Sequence, residues 1–443
     1  MAKYKAYSEY RDSGVVWLGE IPQNWHAYTG KRLFSSVKTP AHSNDEQLAA
    51  SQKYGVIPQT LMMQLNESKV MLALKGTDSF RHIEKNNFVI SLRSFEGGIE
   101  HSNYQGCVSP AYTVLKNIKE IEFSFYRYLL KSAPYVSALQ ASTDSLRDGK
   151  SINYEQFGAI ALPYPCLQEQ SIIAQFLNYE TAKIDNLIEK QQQLIELLKE
   201  KRQAVISHAV TKGLNPDVPM KDSGIEWLDS IPSSWEVKPT YAICSASTEK
   251  NTDGLENNVL SLSYGNIIKR KTDTNFGLLP DSFNTYQIVK DGDIILRLTD
   301  LQNDKNSLRV GLVTQRGIIT PAYLKLSVKH AITPSFSYYL LHTYDIFKVF
   351  YGMGGGLRQS MKFEDFRRLP LLIPSKIEQE NIVTFIDKRI IKIDILIEKQ
   401  LQQIALLKER RTALISAAVT GKIDVRNWRA PDEQTTAEAE AAQ

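Results

Sequence analysis

The sequence predicts an α+β protein: two mixed α/β domains separated by two long helices that pair as an antiparallel coiled coil, arranged as a pseudo-twofold internal repeat. Three observations carry this. Asp12-Ser-Gly-Val-Val-Trp-Leu-Gly-Glu-Ile-Pro-Gln-Asn-Trp25 recurs as Asp222-Ser-Gly-Ile-Glu-Trp-Leu-Asp-Ser-Ile-Pro-Ser-Ser-Trp235, with 8 identities in 14 positions at an offset of 210. Residues 165–211 align with 374–420 at an offset of 209, with 26 identities in 47. Between these flanks short strand-like runs and short helical patterns alternate, and the two copies diverge.

Taken in order, residues 1–165 form a first α/β domain with an N-terminal approach segment. Residues 166–213 form the central long helix, 214–374 a second domain with its own approach segment, and 375–421 the C-terminal long helix. Residues 422–443 read as a mostly disordered tail, because the end is rich in Ala, Glu, Thr and Gln. Lys69–Lys75, Phe88–Arg93, Tyr112–Leu115, Asp293–Leu298 and Tyr323–Leu326 are apolar runs of strand length, and Ser124–Lys131 and Ser335–Thr343 are short helical patterns. Inside the domains only Ser109-Pro-Ala-Tyr112 with Thr320-Pro-Ala-Tyr323, Leu92-Arg93 with Leu296-Arg297, and Leu146-Arg147 with Leu357-Arg358 can be matched.

Pro165 and Pro374 precede the long helical patterns, and Gly213 and Gly421 stand near their ends. With Ile184 as a heptad a position, the a residues are Ile184, Gln191, Leu198 and Val205, the d residues begin Leu187 and Leu194, and the e residues Ile188 and Ile195. The second copy places Ile393, Gln400, Leu407 and Leu414 at a. Some 45 residues make about 65 Å of helix. Each copy offers the other a matching apolar stripe, and Gln191 and Gln400 are suited to fixing the register of the pair.

Composition narrows the chemistry. The chain of 443 residues is 42% hydrophobic and 23% charged, as in ordinary globular proteins. No run approaches a membrane span, the N-terminus lacks the apolar stretch of a signal peptide, and a cytoplasmic location is expected. Cys107, Cys166 and Cys244 are isolated, so neither a disulfide framework nor a structural zinc site is expected. The net charge of +4 becomes about +8 once the four acids of the tail are set aside, which suits a nucleic-acid partner without requiring one.

Catalytic signatures are absent. Asp148-Gly-Lys-Ser151 lacks the upstream glycine of a phosphate loop, since position 144 is Asp. Ser109-Pro-Ala-Tyr112 lacks the amide or carboxyl that an amino-methyltransferase uses on a flipped base. Glu67-Ser-Lys69 and Pro280-Asp281 are not spaced as a metal-dependent nuclease requires. The seven His are scattered.

The duplicated opening segment, Leu357-Arg-Gln-Ser360, Phe363-Glu-Asp-Phe366, Pro374, Glu378-Gln379 and the helix closing on Val419-Thr-Gly421 together resemble the specificity subunits of type I restriction–modification enzymes. The resemblance extends to about residue 429. It implies that each divergent interior is a target-recognition domain reading one half of a bipartite, asymmetric site on double-stranded DNA. It also implies that the helix pair sets the half-site spacing. Two modification (methyltransferase) subunits and restriction/translocase subunits are the implied partners. S-adenosylmethionine, ATP and Mg would belong to them, with no cofactor, metal or catalytic residue on this chain. A self-contained DNA-modifying enzyme and a coiled-coil scaffold without a DNA role are the alternatives.

Candidate DNA contacts follow from residue type and loop position. Arg93 and Ser94 precede the turn at Gly97 and Gly98, and Arg297 ends the matching strand. Arg147 with Lys150, and Arg358 with Gln359, lie on loops ahead of the long helices, and Lys269, Arg270 and Lys271 form a basic triplet. Arg is the commonest reader of guanine edges, and Lys or Arg on phosphate supplies most of the affinity. Trp17, Trp25, Trp227 and Trp235 lie in the shared flanks and are expected as packing anchors.

Overall fold

The structure, a computed structural model, describes residues 4–66, 79–91, 97, 99–142, 152–270, 282–299, 301, 308–353 and 361–430. It divides into two compact units. Unit 1 is Met1–Gln191 with Gln402–Gln443, and unit 2 is Gln192–Leu401. The long helices are α1, Leu167–Lys212, and α2, Lys376–Val419. Each unit takes one half of α1 and one half of α2, so the units cut across the linear segments.

Both interiors have one topology. In unit 1, β1 (Phe34–Val37), β2 (Phe88–Ile90), β3 (Ile99–His101) and β4 (Thr113–Asn117) form an antiparallel sheet in the order β1-β4-β2-β3. In unit 2, β5 (Cys244–Ala246), β6 (Ile294–Leu296), β7 (Val310–Leu312) and β8 (Leu324–Val328) repeat it as β5-β8-β6-β7. These sheets are buried on both faces. Phe88 and Ile90 enter the large core of unit 1 while Val89 enters a smaller one, and Ile294 and Leu296 alternate with Ile295 in the same way. Strands Phe88–Ile90, Thr113–Asn117, Ile294–Leu296 and Leu324–Val328 fall within or across the predicted runs starting at 88, 112, 293 and 323, and the patterns at 124–131 and 335–343 meet helices. The run at 69–75 lies outside the described residues.

Within each unit the helix halves run antiparallel. In unit 1, the Phe176 and Tyr179 rings of α1 lie beside Trp428, and the Asp185 carboxylate meets Arg411 of α2 at 2.9 Å. In unit 2, Asp394 of α2 meets Arg202 of α1 at 3.2 Å, and Gly213, just past the end of α1, faces Glu378 in the first turn of α2. The seam differs from the expectation. Ile184, Ile195, Ile393 and Ile404 are buried, whereas Leu187 and Leu194, placed at d in the stripe, are 41% and 40% exposed. Of the expected a, d and e positions, a and e carry the packing and d does not. Stripes on a and d or on a and e both give spacings of three and four, so the period alone does not choose between them.

The approach segments close each unit on a helix end. Trp25 and Trp235 are almost wholly buried. Gly421, at φ +71°, ends α2 against Pro22 and Trp25, and Gly213, at φ +77°, ends α1 against Pro232 and Trp235. The Lys422 N–H donates to the Ala417 carbonyl at 2.8 Å, the bond by which a left-handed glycine stops a helix. Lysine and glycine stand in opposite order after the two helices. Even so, the Lys422 ammonium reaches the Glu20 carbonyl at 2.9 Å, and Lys212 reaches the Ser230 carbonyl at 2.7 Å. At the other helix ends, buried Gln170 donates to the Pro165 carbonyl and buried Gln379 to the Pro374 carbonyl, both at 2.9 Å. Trp17 and Trp227 also pack, against Tyr135 and Tyr344.

Residues 422–430, assigned from sequence to the tail, are instead part of unit 1. Ile423 and Val425 are buried, Trp428 lies against Phe176, and the Asp424 N–H donates to the Lys5 carbonyl at 2.8 Å. Three apolar residues in nine make no periodic pattern, so only the docking site reveals their role. Residues 431–443 lie outside the described residues. Among the described residues no helix is long and apolar enough to cross a membrane.

Two glycines test this closure. Gly14 also has positive φ, with open space where a side chain would go, whereas a Cβ on Gly421 would come within 2.4 Å of Pro22 Cδ. Gly14→Ala should cost only the left-handed strain, about 1–2 kcal/mol. Gly421→Ala should cost at least about 1 kcal/mol more, from overpacking. Denaturant unfolding followed by tryptophan fluorescence measures both.

Candidate nucleic-acid interface

Lys269 aside, the predicted contacts fall on segments between the described elements of the two interiors. Arg93, Ser94, Gly98, Arg147, Lys150, Lys271, Arg358 and Gln359 lie outside the described residues. The flanks that carry them are described. Gly97, at φ +87°, is buried against Val136, so its place is in packing rather than at the surface. Lys269 is exposed at the end of the hairpin Leu260–Ser263/Asn266–Lys269, and the Arg270 N–H donates to the Val259 carbonyl at 2.8 Å. Arg297 is half-buried just beyond β6.

Unit 2 brings two of these loop bases together. The Met361 N–H donates to the Leu298 carbonyl at 2.8 Å, which ties the end of segment 354–360 to the start of segment 302–307. The tie centres on Arg309, which sequence reasoning missed. Arg309 is fully buried. Its Nη1 donates to the carbonyls of Arg297 at 3.0 Å and Thr299 at 2.8 Å, and its Nε donates to the Tyr351 hydroxyl at 3.1 Å. Its own N–H donates to the buried Asp345 carboxylate at 2.7 Å. The guanidinium fork ties two backbone carbonyls to the Tyr351 hydroxyl, so Arg309 shapes the loop bases and leaves Arg297 as the residue nearer the rim. A lone arginine before an apolar run reads as a solvated end, so nothing in the sequence marks it.

Each unit also has a cleft between its interior and its helix halves. The unit 1 cleft has a volume of about 570 Å³ and is lined by Lys53, Arg127, Lys131 and Arg411 with Glu100 and Asp185. Glu100 is buried and paired with Lys131, and burial raises its pKa against the pull of that ammonium. The unit 2 cleft, about 280 Å³, is lined by Arg202, Tyr338, Tyr339 and His342 beside the turn at Gly265. Among the described residues that line them, neither pairs a nucleophile with a base. The residues expected to fix the register are half-buried on the helices, Gln191 in unit 1 and Gln400 in unit 2, and the Gln191 Oε1 is buried without a hydrogen-bond partner among the described residues.

This arrangement defines a class, a duplicated scaffold that presents two different loop sets. Residues 22–197 match the family described as type I restriction modification DNA specificity domain. A Methanocaldococcus jannaschii protein, assigned as the MjaX specificity subunit of a type I restriction enzyme, is 24% identical over 444 aligned positions, covering 92% of this chain and 96% of its own. Two solved structures share the fold. One, described for the complex assembly and conformational transition of a type I R-M system, has a TM-score of 0.65 at 14% identity and covers 91% of this chain and 99% of its own. The other, the HsdS subunit from Thermoanaerobacter tengcongensis, has a TM-score of 0.52 at 14% identity and covers 91% and 98%. Residues 22–197 thus match a specificity domain, and most of the chain is similar to a specificity subunit.

His342 offers a measurable consequence for unit 2. Burial, then the nearby Arg202 charge, lowers its pKa from 6.5 to about 4, while its Nε2 lies 3.1 Å from the Gln203 Oε1. The unfolded chain therefore binds this proton first on acidification, and the stability contribution, complete above pH 6.5, is lost as pH falls toward 4. The difference between wild type and His342→Gln should change by up to about 3 kcal/mol across that window, read from urea midpoints at each pH.

Proposed function

We propose that this chain reads a bipartite, asymmetric target in double-stranded DNA, one half-site per unit, for a type I restriction–modification complex. The observation that carries the reading is the division of the repeat. Sheet order, helix ends, buried glutamines and tryptophan anchors are shared by both units, while the loops at the sheet ends are unlike. A shared scaffold with unlike readers suits two different half-sites.

Arg93, Ser94, Arg147, Lys150, Lys269, Arg270, Lys271, Arg297, Arg358 and Gln359 supply the contacts in this reading, some to base edges and some to phosphates, and binding weakens with salt accordingly. Gly97 shapes a turn rather than donating. The chain itself performs no catalysis. S-adenosylmethionine, ATP and Mg belong to two modification subunits and to the restriction subunits, and the assembly works in the cytoplasm. Gln191 and Gln400 hold the helix register. The modification subunits dock on the second, exposed apolar stripe of the long helices. It includes Leu187 and Leu406 in unit 1, and Leu194, Leu197, Ile391 and Leu401 in unit 2, each 40% exposed or more.

Replacing residues 26–165 with those of another specificity subunit should change one half-site of the methylation pattern and leave the other. An unchanged pattern refutes DNA reading, and methyl transfer by the purified chain alone refutes the non-catalytic role. Inserting one heptad after Gln191 and another after Leu401 keeps the seam in phase and lengthens the pair by about 10 Å. The spacer should grow by about three base pairs at 3.4 Å each; an unchanged spacer refutes the ruler.

A further inference from the structure

Unit 1 carries a group of side chains that DNA reading does not use. His42, Asp45 and His82 each place one possible ligand atom within 4.8 Å of the others. Their backbone is fixed independently. The His82 N–H donates to the Thr39 carbonyl at 2.8 Å, the Ala41 N–H donates to the Phe80 carbonyl at 2.9 Å, and His82 pairs with Cys107 across the strands Arg81–Ile83 and Gly106–Val108. The Asp45 carboxylate turns back on this corner. Its Oδ2 accepts the His42 N–H at 2.8 Å and lies 2.7 Å from His82 Nδ1.

That would suffice to tie the corner, and it leaves His42 unexplained. The His42 side chain is 56% exposed and has water available, yet its ring lies 4.1 Å from that of His82 and its Nδ1 faces Asp45 Oδ1 at 3.8 Å. That gap is too long for a direct hydrogen bond. Two donors on one tetrahedral zinc at about 2.0–2.1 Å stand roughly 3.3 Å apart. The observed gaps of 2.7 and 3.8 Å bracket that separation, so small side-chain rotations bring all three donors onto one ion. Cys107 stays outside the set. Its Sγ lies 3.9 Å from the Asp45 carbonyl, and burial, then the Asp45 charge, pushes the thiol pKa up.

The corresponding corner of unit 2 shows what a tie without ligands looks like. The bridge between Pro40 and Arg81 has its counterpart between Lys250 and Gln287. There the buried Asn251 amide closes the turn, donating to the Glu256 carbonyl at 2.9 Å and accepting the Glu256 N–H at 3.1 Å. Unit 1 has two imidazoles and a carboxylate in that role.

We propose that His42, Asp45 and His82 bind a divalent transition-series cation of the zinc and cobalt class, with a further coordination position open to water. Mixed nitrogen and oxygen donors disfavour magnesium and calcium, which take oxygen ligands. The ion pins the 39–45 turn to the strand at Arg81–Ile83 and has a structural role in unit 1. Spacing hid the set, since its members span 41 positions without a short motif.

Titration of the tag-free full-length chain with Co2+, followed by visible absorption and displaced by Zn2+, tests this. The wild type should bind one ion with tetrahedral or five-coordinate bands, and Zn2+ should raise the melting temperature. His42→Ala removes a largely exposed side chain and should leave the fold intact while weakening binding more than about tenfold; Asp45→Asn should do the same. Absence of saturable binding to the wild type, or equal binding to His42→Ala, overturns the proposal. The methylation pattern reports on DNA reading separately, so the two proposals fail independently.

Discussion

Neither unit is complete without a half-helix supplied by the other repeat, and the rest of the structure depends on that closure. Trp25 begins the first repeat, yet its indole is covered by the end of α2, where Ala418, Val419 and Gly421 join the same core. Trp235 is covered by the end of α1 through Ala209, Val210 and Gly213. Burying a tryptophan removes 150–250 Å² from water, roughly 4–6 kcal/mol of transfer free energy. A single repeat would leave its anchor uncovered and its half-helices unpaired. The duplication is thus a folding requirement as well as a way to present two unlike loop sets.

Gln170 and Gln379 are fully buried, and each holds the preceding proline carbonyl while accepting an N–H from the interior, Glu122 at 2.9 Å and Thr333 at 2.7 Å. This fixes each interior to its helix whatever its loops contain. The interiors then settle their loop bases differently. Unit 2 uses buried Arg309 on backbone carbonyls, and unit 1 packs Gly97 against Val136. Such independence lets the two loop sets diverge without loss of the scaffold.

What was legible in the sequence follows the physics of each element. The long helices and tryptophan anchors were legible because periodic apolar residues and scarce residue types survive duplication. The shared sheet order was not, because a strand of three or four residues buried on both faces needs only some apolar side chain at each position, and Phe88-Val-Ile90 and Ile294-Ile-Leu296 serve equally. Arg309 and the His42–Asp45–His82 group were hidden because their partners are distant in the chain. The ordered residues 422–430 were hidden because three apolar side chains acquire meaning only against Phe176 and Trp25. For the DNA-reading loops the sequence yields residue types and positions on the chain, and the described part of the site adds the strand ends that carry Arg297 and Gly97.

The misjudged helix seam itself says something about function. Residues at a and e suffice to hold the helix halves together, so nothing in the packing of either unit calls for leucine at Leu187, Leu194 or Leu406, or isoleucine at Ile391. Apolar side chains 40–59% exposed on a helix add little to its stability. A helix that served only its own fold would carry charge there, as Glu196 and Lys199 do on the same turns. The long helices therefore carry two adjacent apolar stripes, one forming the internal seam and one exposed. The sequence showed the sum of both stripes, and only burial separates the one that folds the chain from the one left exposed.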